Sequence, residues 1–91
     1  MLDINYQHWG GFMITKLTSV HEGNSCIIEY ILAEKRATKR LYEMGLHAGA
    51  HAVVKKNDGL SPLILGIHGA SVAVGRRIAE NIYVEVGDKN D

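Results

Sequence analysis

The sequence predicts a mainly β fold, a small and strongly bent barrel of five short strands with little helix. The chain has 91 residues, which is enough for one hydrophobic core and too few for two. Ten glycines and a single proline indicate many tight turns, and 46% apolar residues exclude wholesale disorder. Several short segments alternate apolar and polar residues, which is the period of a β-strand and not of a helical bundle.

The first predicted strand is "CIIEYIL", from Cys26 to Leu32. β-Branched and aromatic residues dominate it, so we expect it to be buried on most of its surface. A charged joint follows, and the sequence then predicts one short α-helix with Thr38 as its N-cap. Ala37, Leu41 and Met44 give that helix an apolar stripe, because they recur at i, i+4 and i+7.

The end of this helix carries a specific prediction. Gly45 occupies position C′, where the left-handed backbone favours glycine, so Leu46 becomes C″ and Leu41 becomes C3. Those two leucines are the positions that touch in a Schellman cap. Gly49 then turns the chain into the next strand. We therefore assign structural roles to Leu41, Gly45, Leu46 and Gly49.

Four more strands are predicted after the helix: "AHAVVKK", "PLILGIHG", "ASVAV" and "IYVEV". The segment "NDGLS" is a hairpin loop between the first two, and "GRRIAEN" is a single helical turn before the last. Alternation along each strand predicts one inward face. The residues expected to face inward are Ala52, Val54, Leu63, Leu65, Ile67, Val72, Val74, Ile82, Val84 and Val86.

The domain is expected to span residues 13–87, with a frayed tail at residues 88–91. Residues 1–12 hold the only Trp and the only Phe, and we expect this leader to be disordered or not native. The alternative is a docking segment that uses Leu2, Tyr6 and Trp9 at helical spacing. A lone cysteine, no secretory pattern and no long apolar run indicate a cytoplasmic protein.

The charge balance argues against nucleic acid as a partner. Lys plus Arg and Asp plus Glu number ten each, so the formal net charge is zero. Basic residues nevertheless crowd the middle of the chain, which leaves a local RNA- or DNA-binding patch as a rival hypothesis. That stretch lacks the interleaved aromatic residues that stack on bases, so we expect no nucleic-acid partner.

The sequence predicts no catalytic site. A nucleophile needs an activating base and an orienting group, whereas Cys26 lies in an apolar strand, where burial makes a thiol inert. The sequence contains no phosphate loop, no H-E-x-x-H motif and no paired cysteines. We expect a protein that is not an enzyme and requires no cofactor.

Two of the five histidines, His51 and His68, are candidate metal ligands. If Val54 faces Leu65 across the strand pair, His51 faces His68 on the outer surface, with Cβ atoms roughly 4.5–5.5 Å apart. Two imidazoles at that separation can share a divalent ion such as Fe²⁺, although two neutral ligands alone bind weakly. The alternative is that both are ordinary surface histidines.

The helix and the loop after it offer a candidate partner-binding surface. Lys39, Arg40, Tyr42 and His47 are expected to be exposed there, and aromatic and Arg side chains are favoured anchors in protein interfaces. The alternative interpretation of this region is structural, with the helix packed across the end of the barrel.

Four segments of the sequence resemble the ferrous iron transport protein A (FeoA) family, which has an SH3-like barrel fold. The resemblance runs from Ile14 to about Val86, and its segments are "LTSVHEG", "LYEMGLHAG", "SPL" and "GRRIAENIYVEV". The chain departs from the family pattern at Ala48, where the turn often has proline. The same SH3-like domain occurs at the C-terminus of iron-dependent repressors of the diphtheria toxin repressor type.

The resemblance implies a non-enzymatic cytosolic accessory protein of ferrous iron transport. It would dock on the cytosolic, GTPase-bearing region of the membrane transporter FeoB, at the inner face of the membrane, and bias its conformations. It also allows weak self-association. The alternative implied by the repressor domains is a regulatory module that senses divalent metal.

Overall fold

The fold is mainly β, and its strands form one antiparallel, barrel-like sheet. The computed structural model describes residues 8–9 and 12–87, with side chains for residues 13–87. The strands are β1 (His8–Trp9), β2 (Phe12–Lys16), β3 (Ser25–Ile31), β4 (His51–Lys56), β5 (Leu63–Ile67), β6 (Ala70–Val74) and β7 (Ile82–Gly87). Their order in the sheet is β1-β2-β7-β3-β4-β5-β6, so β1 and β6 are its edges among the described residues. Two short helices, α1 (Lys35–Glu43) and α2 (Arg76–Ala79), and a 3₁₀ turn (Leu17–Ser19) complete the fold.

The predicted count of five strands is too low, because it omits β2 and the two-residue β1. β2 pairs with β7 over five residues, from Phe12↔Gly87 to Lys16↔Tyr83. Met13, Ile14 and Thr15 are all half-buried, so this segment lacks the alternation that reveals a strand in sequence. Its partner lies about seventy positions away, where no local pattern points to it.

The leader prediction falls mostly outside the described residues, since residues 1–7 and 10–11 are not among them. Leu2 and Tyr6, two of the three residues of the alternative docking segment, also lie outside the described residues. Trp9 lies in an extended strand paired with Phe12, and that backbone is not helical.

The core lies on the inner face of the sheet and is closed by α1. Alternation predicts the inner face correctly for β4 and β5, where the burial of side chains alternates from His51 to Lys55 and from Leu63 to Ile67. Val72 and Val86 are only half-buried, but both pack against the core. The largest fully buried side chains are Leu17, Ile28, Leu41, Leu46, Leu63, Leu65, Ile82, Val54 and Val84.

β3 is wrongly predicted as buried on most of its surface. Only Cys26 and Ile28 of this strand are buried, and Tyr30 is 45% exposed. A β-bulge between Ile28 and Tyr30 leaves Glu29 unpaired, and the outer face of this antiparallel sheet is solvated. Tyr30 stacks there on Tyr83, with ring centroids 4.8 Å apart.

α1 begins earlier than predicted, with Glu34 and not Thr38 at the N-cap. Thr38 lies in the first turn, and its hydroxyl donates to the carbonyl oxygen of Glu34 at 3.0 Å. Within a helix, a Thr hydroxyl can make this bond to the i−4 carbonyl. Thr38 is therefore accommodated inside the helix and does not have to mark its N-cap. The residues before it, Lys35 and Arg36, are good helix formers and extend the helix backwards.

The end of α1 has the predicted Schellman geometry. The Leu46 N–H donates to the Leu41 carbonyl oxygen at 2.8 Å, and the Gly45 N–H donates to that of Tyr42 at 3.0 Å. Gly45 has φ +92°, and both leucines are buried. Gly49 follows with φ +90° and donates its N–H to the Ile28 carbonyl oxygen at 2.8 Å, which ties the loop to β3.

The loop between β4 and β5 is held by side chains. Asn57 donates from Nδ2 to the carbonyl oxygens of Thr18 and Val20, at 3.0 and 2.9 Å, and its Oδ1 accepts from Arg76 at 2.8 Å. The carboxylate of Asp58 accepts hydrogen bonds from the N–H groups of Leu60 and Ser61. The loop is thereby bound both to the 3₁₀ turn and to α2.

Candidate docking surface

An open groove with an apolar lining runs between the two helices, and we name it the α1–α2 groove. Its volume is about 420 Å³, and its lining residues are Glu34, Arg36, Ala37, Arg40, Leu41, Glu43, Met44 and Ile78. Met44 is 43% exposed and Ile78 is 36% exposed, and both line this one groove. Two such residues beside one groove are the composition expected of a binding surface.

The two exposed apolar side chains result from local folding of the chain. α2 is a single turn whose inward position is taken by the fully buried Ala79, so its neighbour Ile78 points outward. Met44 is the C-cap of α1, and unlike Leu41 of the same apolar stripe it lies outside the core. Leu32 donates its N–H to the Asn81 carbonyl oxygen at 2.8 Å, which joins the segment before α1 to the end of α2.

Charged residues flank the apolar part of the groove. Arg36 and Arg40 supply positive charge, and Glu34 and Glu43 supply negative charge. The ion pairs between described residues are Lys16–Glu80 and Lys56–Asp58, so none of these four rim charges is paired with another described residue. Unpaired rim charges around an apolar centre can orient a partner and select against the wrong one.

The four residues predicted to bind a partner fall into two groups. Arg40 lines the α1–α2 groove, whereas Lys39, Tyr42 and His47 do not. Tyr42 is 65% exposed and lies about 200° around the helix from Arg40. Its ring is 5.0 Å from that of His47, at an interplanar angle of 39°. Tyr42 and His47 therefore form a separate aromatic pair beside the predicted cap.

The register assumed for the two candidate metal ligands is present, since Val54 pairs with Leu65. His51 and His68 are both exposed and line a second groove of about 420 Å³ on the outer face of the sheet. His68 lies just beyond β5, in the tight turn before β6, with φ +51°. No group of three or more His, Cys, Asp or Glu side chains among the described residues is arranged to hold a metal ion. Metal binding by this pair stays a prediction.

Arg40 is the one groove residue that the sequence analysis assigned to partner binding; Glu34, Arg36, Glu43, Met44 and Ile78 were missed in that role. The segment "GRRIAEN" was correctly predicted as one helical turn. A single turn buries one side chain, and the small Ala79 fills that position. The outward direction of its larger neighbour, Ile78, could have been inferred from that choice.

Cys26 offers no reactive thiol. Its side chain is buried, and desolvation raises its pKa to about 11, so the thiol is protonated at neutral pH. Among the described residues, no helix has the length and apolar character needed to cross a lipid bilayer.

Comparison with known proteins identifies the family. The model of the FeoA domain family matches residues 15–86. The Fe(2+) transport protein A of Methanocaldococcus jannaschii is 35% identical over 69 residues, which cover 76% of this chain and 83% of that protein. The crystal structure of an iron uptake regulatory protein, FeoA, superposes with a TM-score of 0.75 at 29% identity, covering 79% of this chain and 96% of that one.

Another solved structure shares the fold as well. The crystal structure of T. acidophilum IdeR matches with a TM-score of 0.72 at 22% identity, over 80% of this chain and 34% of that one. At that identity the likeness concerns the fold alone. The family match spans most of the chain and agrees with the segments singled out in the sequence, so the chain belongs to the FeoA domain family.

Proposed function

We propose that this chain is a non-enzymatic accessory protein of ferrous iron transport that docks on the cytosolic, GTPase-bearing region of a FeoB-type membrane transporter. The observation that carries the proposal is the α1–α2 groove, with its two exposed apolar side chains and its unpaired rim charges. The FeoA family match and the similarity to an Fe(2+) transport protein A support a role in Fe²⁺ transport, for which a membrane transporter would be the partner.

Docking would use the apolar residues as anchors and the charges for orientation. Met44 and Ile78 would receive apolar side chains of the partner, since buried apolar contacts at the centre of an interface supply most of its affinity. Arg36 and Arg40 would pair with acidic groups at the rim, where Arg can hold a carboxylate through two hydrogen bonds. The chain would act in the cytoplasm, at the inner face of the membrane, through this contact.

Such a protein modulates the transporter only if it binds two of its states with different affinities. The GTP-bound and GDP-bound forms of the partner's GTPase are the natural pair of states. Docking that favours one of them shifts the equilibrium toward it by the ratio of the two affinities. The proposal therefore requires a nucleotide-dependent dissociation constant and assigns no catalytic step to this chain.

The experiment is a titration of the labelled chain with the purified cytosolic region of the transporter, with a GTP analogue or with GDP, followed by amide NMR. We expect shifts around α1 and α2, and an affinity that depends on the nucleotide. Met44→Glu and Ile78→Glu place a charge in the apolar centre and should weaken binding at least tenfold, by about 1.4 kcal/mol or more.

Leu60→Glu is the matched control, because Leu60 is 89% exposed and does not line the groove. It should leave the affinity unchanged. Shifts confined to Lys39, Tyr42 and His47 would move the docking site to the other side of α1. Equal weakening by all three glutamate variants, or no binding at all, would contradict the proposal.

A second candidate function is the sensing of divalent metal by His51 and His68. The shared outer groove and the Val54–Leu65 pairing are the observations that favour it. An anaerobic Fe²⁺ titration of the chain alone, compared with the His51→Ala variant, tests it. Iron-dependent shifts at both histidines that vanish in the variant would support sensing, whereas unchanged spectra would leave accessory docking as the role.

A further inference from the structure

The outer edge of β6 is an open strand that natural sheets usually protect. β6 (Ala70–Val74) stands at the end of the sheet order, and β5 is its neighbour. Edge strands are commonly blocked by a charged residue, a proline or a β-bulge. β6 has none of these, since its sequence is "ASVAV" and its pairing with β5 runs without interruption from Ile67↔Ala70 to Leu63↔Val74.

The tight turn before β6 determines which of its backbone groups face outward. Two residues, His68 and Gly69, connect the paired residues Ile67 and Ala70, and both have positive φ. Such a turn makes the flanking pair a hydrogen-bonded one, and antiparallel pairs then alternate. The N–H and C=O groups of Ala70, Val72 and Val74 therefore point toward β5.

Ser71 and Ala73 accordingly direct their backbone N–H and C=O groups away from the sheet. No backbone hydrogen bond from another described residue reaches them. Both residues are exposed, and their side chains are small. The side-chain hydroxyl of Ser71 accepts a hydrogen bond from Lys55 Nζ at 2.9 Å, which leaves its backbone groups uninvolved. The backbone N–H and C=O groups along this edge can therefore form hydrogen bonds with an added β-strand.

We propose that β6 pairs with β6 of a second copy of this chain, antiparallel and centred on Val72, to make a symmetric dimer with one continuous sheet. In this register Ser71 lies opposite Ala73 of the second copy, and Ala73 lies opposite its Ser71. Each of these pairs can exchange both of its N–H···O=C hydrogen bonds. No other antiparallel self-pairing uses both outward-facing residues of both strands in this way.

The second copy fits this edge better than a foreign peptide does. A twofold axis through Val72 makes the strand complementary to itself, as a symmetric dimer requires. No charged residue lies within β6 itself, and the net charge of the chain is zero, so the one cation that reaches this edge is Lys55, whose Nζ contacts the Ser71 hydroxyl, among the described residues. A foreign strand gains specificity from pockets for its alternate side chains, whereas Ser71 and Ala73 offer only a small, flat surface.

The dimer is independent of the proposed docking on the transporter. Ser71 and Ala73 do not line the α1–α2 groove, so both copies keep their grooves available. An interface of one short strand pair belongs to the class below about 1,200 Å², which is weak and transient. We therefore expect dissociation in the range of tens to hundreds of micromolar, on the order of 100 µM.

The test uses sedimentation velocity of the full chain over increasing concentration, with two matched double variants. Ser71→Lys with Ala73→Lys places like charges directly opposite each other twice and should abolish the dimer. Ser71→Lys with Ala73→Glu places opposite charges in the same positions and should retain it. Both variants lose the Lys55 contact equally, and matching circular dichroism spectra and melting temperatures show that both fold.

A crosslinking measurement tests the register itself. Val72→Cys brings two thiols together at the axis, as a non-hydrogen-bonded pair whose Cα atoms lie about 4.5 Å apart, and should give a disulfide-linked dimer on mild oxidation. Ala70→Cys is on the same face but lies opposite Val74 of the second copy, so it should stay monomeric. The native thiol of Cys26 is buried in both variants.

Three outcomes would overturn the proposal. One is a parent chain that stays monomeric well above 100 µM. Another is equal association of the two double variants. The third is a monomer in which the amides of Ser71 and Ala73 are protected from hydrogen exchange, which would mean that another segment of the same chain covers this edge.

Discussion

Replacing Gly45 with alanine should destabilise the cap at the end of α1, and the same substitution at Gly49 provides a control. Gly45→Ala forces an L-residue to φ +92°, which costs about 1–2 kcal/mol for a side chain in the left-handed region. Alanine also reduces the entropy of the unfolded chain, which offsets about 0.4–1 kcal/mol of that strain. The new Cβ would in addition lie 3.3 Å from Cγ2 of Ile67, a tight contact with the buried end of β5.

Gly49→Ala separates these contributions. Gly49 has φ +90°, nearly the value of Gly45, but a Cβ there would meet nothing within 4 Å. We expect Gly49→Ala to destabilise the fold by about 0.5–1 kcal/mol from backbone strain alone. Gly45→Ala should cost about 1–2 kcal/mol, because the contact with Ile67 adds to the same strain.

Urea unfolding followed by circular dichroism measures both free energies of unfolding. For a domain of this size, 1 kcal/mol corresponds to about 4–8 °C in melting temperature, so the difference between the variants is measurable. Equal losses of stability in the two variants would show that the Ile67 side chain moves away from the new Cβ at no cost in free energy. A Gly45→Ala variant as stable as the parent would refute the assignment of this residue to the left-handed cap position.

Two further predictions concern the loop between β4 and β5. Asn57→Ala removes the donor to two carbonyl oxygens and should reduce the free energy of unfolding by about 1–3 kcal/mol in urea. Asn57→Asp keeps an oxygen for Arg76 but replaces the amide donor with a second acceptor facing those carbonyls, so it should also destabilise the fold, and an Asp variant as stable as the parent would contradict this network. At Asp58, hydrogen bonds from the two backbone N–H groups, and then from the Ser61 hydroxyl, lower the pKa to about 2. Because the folded pKa lies below the unfolded value, its contribution is present above about pH 4 and is lost as the pH falls toward 2. Urea titrations at pH 5 and pH 2.5 should therefore show a smaller loss for Asp58→Asn than for the parent, and parallel losses would exclude Asp58 as a source of acid sensitivity.

Local chemistry explains which features of the fold could be predicted. The cap of α1 lies within the six residues from Leu41 to Leu46. Gly45, together with the leucines at the two ends of this segment, was sufficient to predict it. The pairing of Val54 with Leu65 follows from matching the inward faces of two neighbouring strands across a short loop. In both cases the interacting residues are close in sequence, so their pattern carries the information.

Features that depend on distant segments could not be predicted in the same way. β2 was missed because its three central residues are half-buried and its partner, β7, is the last described strand. Thr38 was taken for a cap because a residue that favours N-caps also tolerates the helix interior when its hydroxyl bonds the preceding turn. The α1–α2 groove joins Met44 to Ile78, and only tertiary packing brings these side chains together.

The position of β7 in the sheet has a consequence for the synthesis of the protein. β7 lies between β2 and β3, so two strands made early both need a partner made late. As the chain leaves the ribosome, β2 has no neighbour on its inner side until Ile82–Gly87 emerges, and the first half of β3 can pair only with β4. The sheet is therefore completed only after β7 has been made, by contacts between distant parts of the chain, which is a slow mode of folding. A nascent chain stalled before Ile82 would leave the β7-facing edges of β2 and β3 without their partner, and unpaired strand edges can pair with other chains.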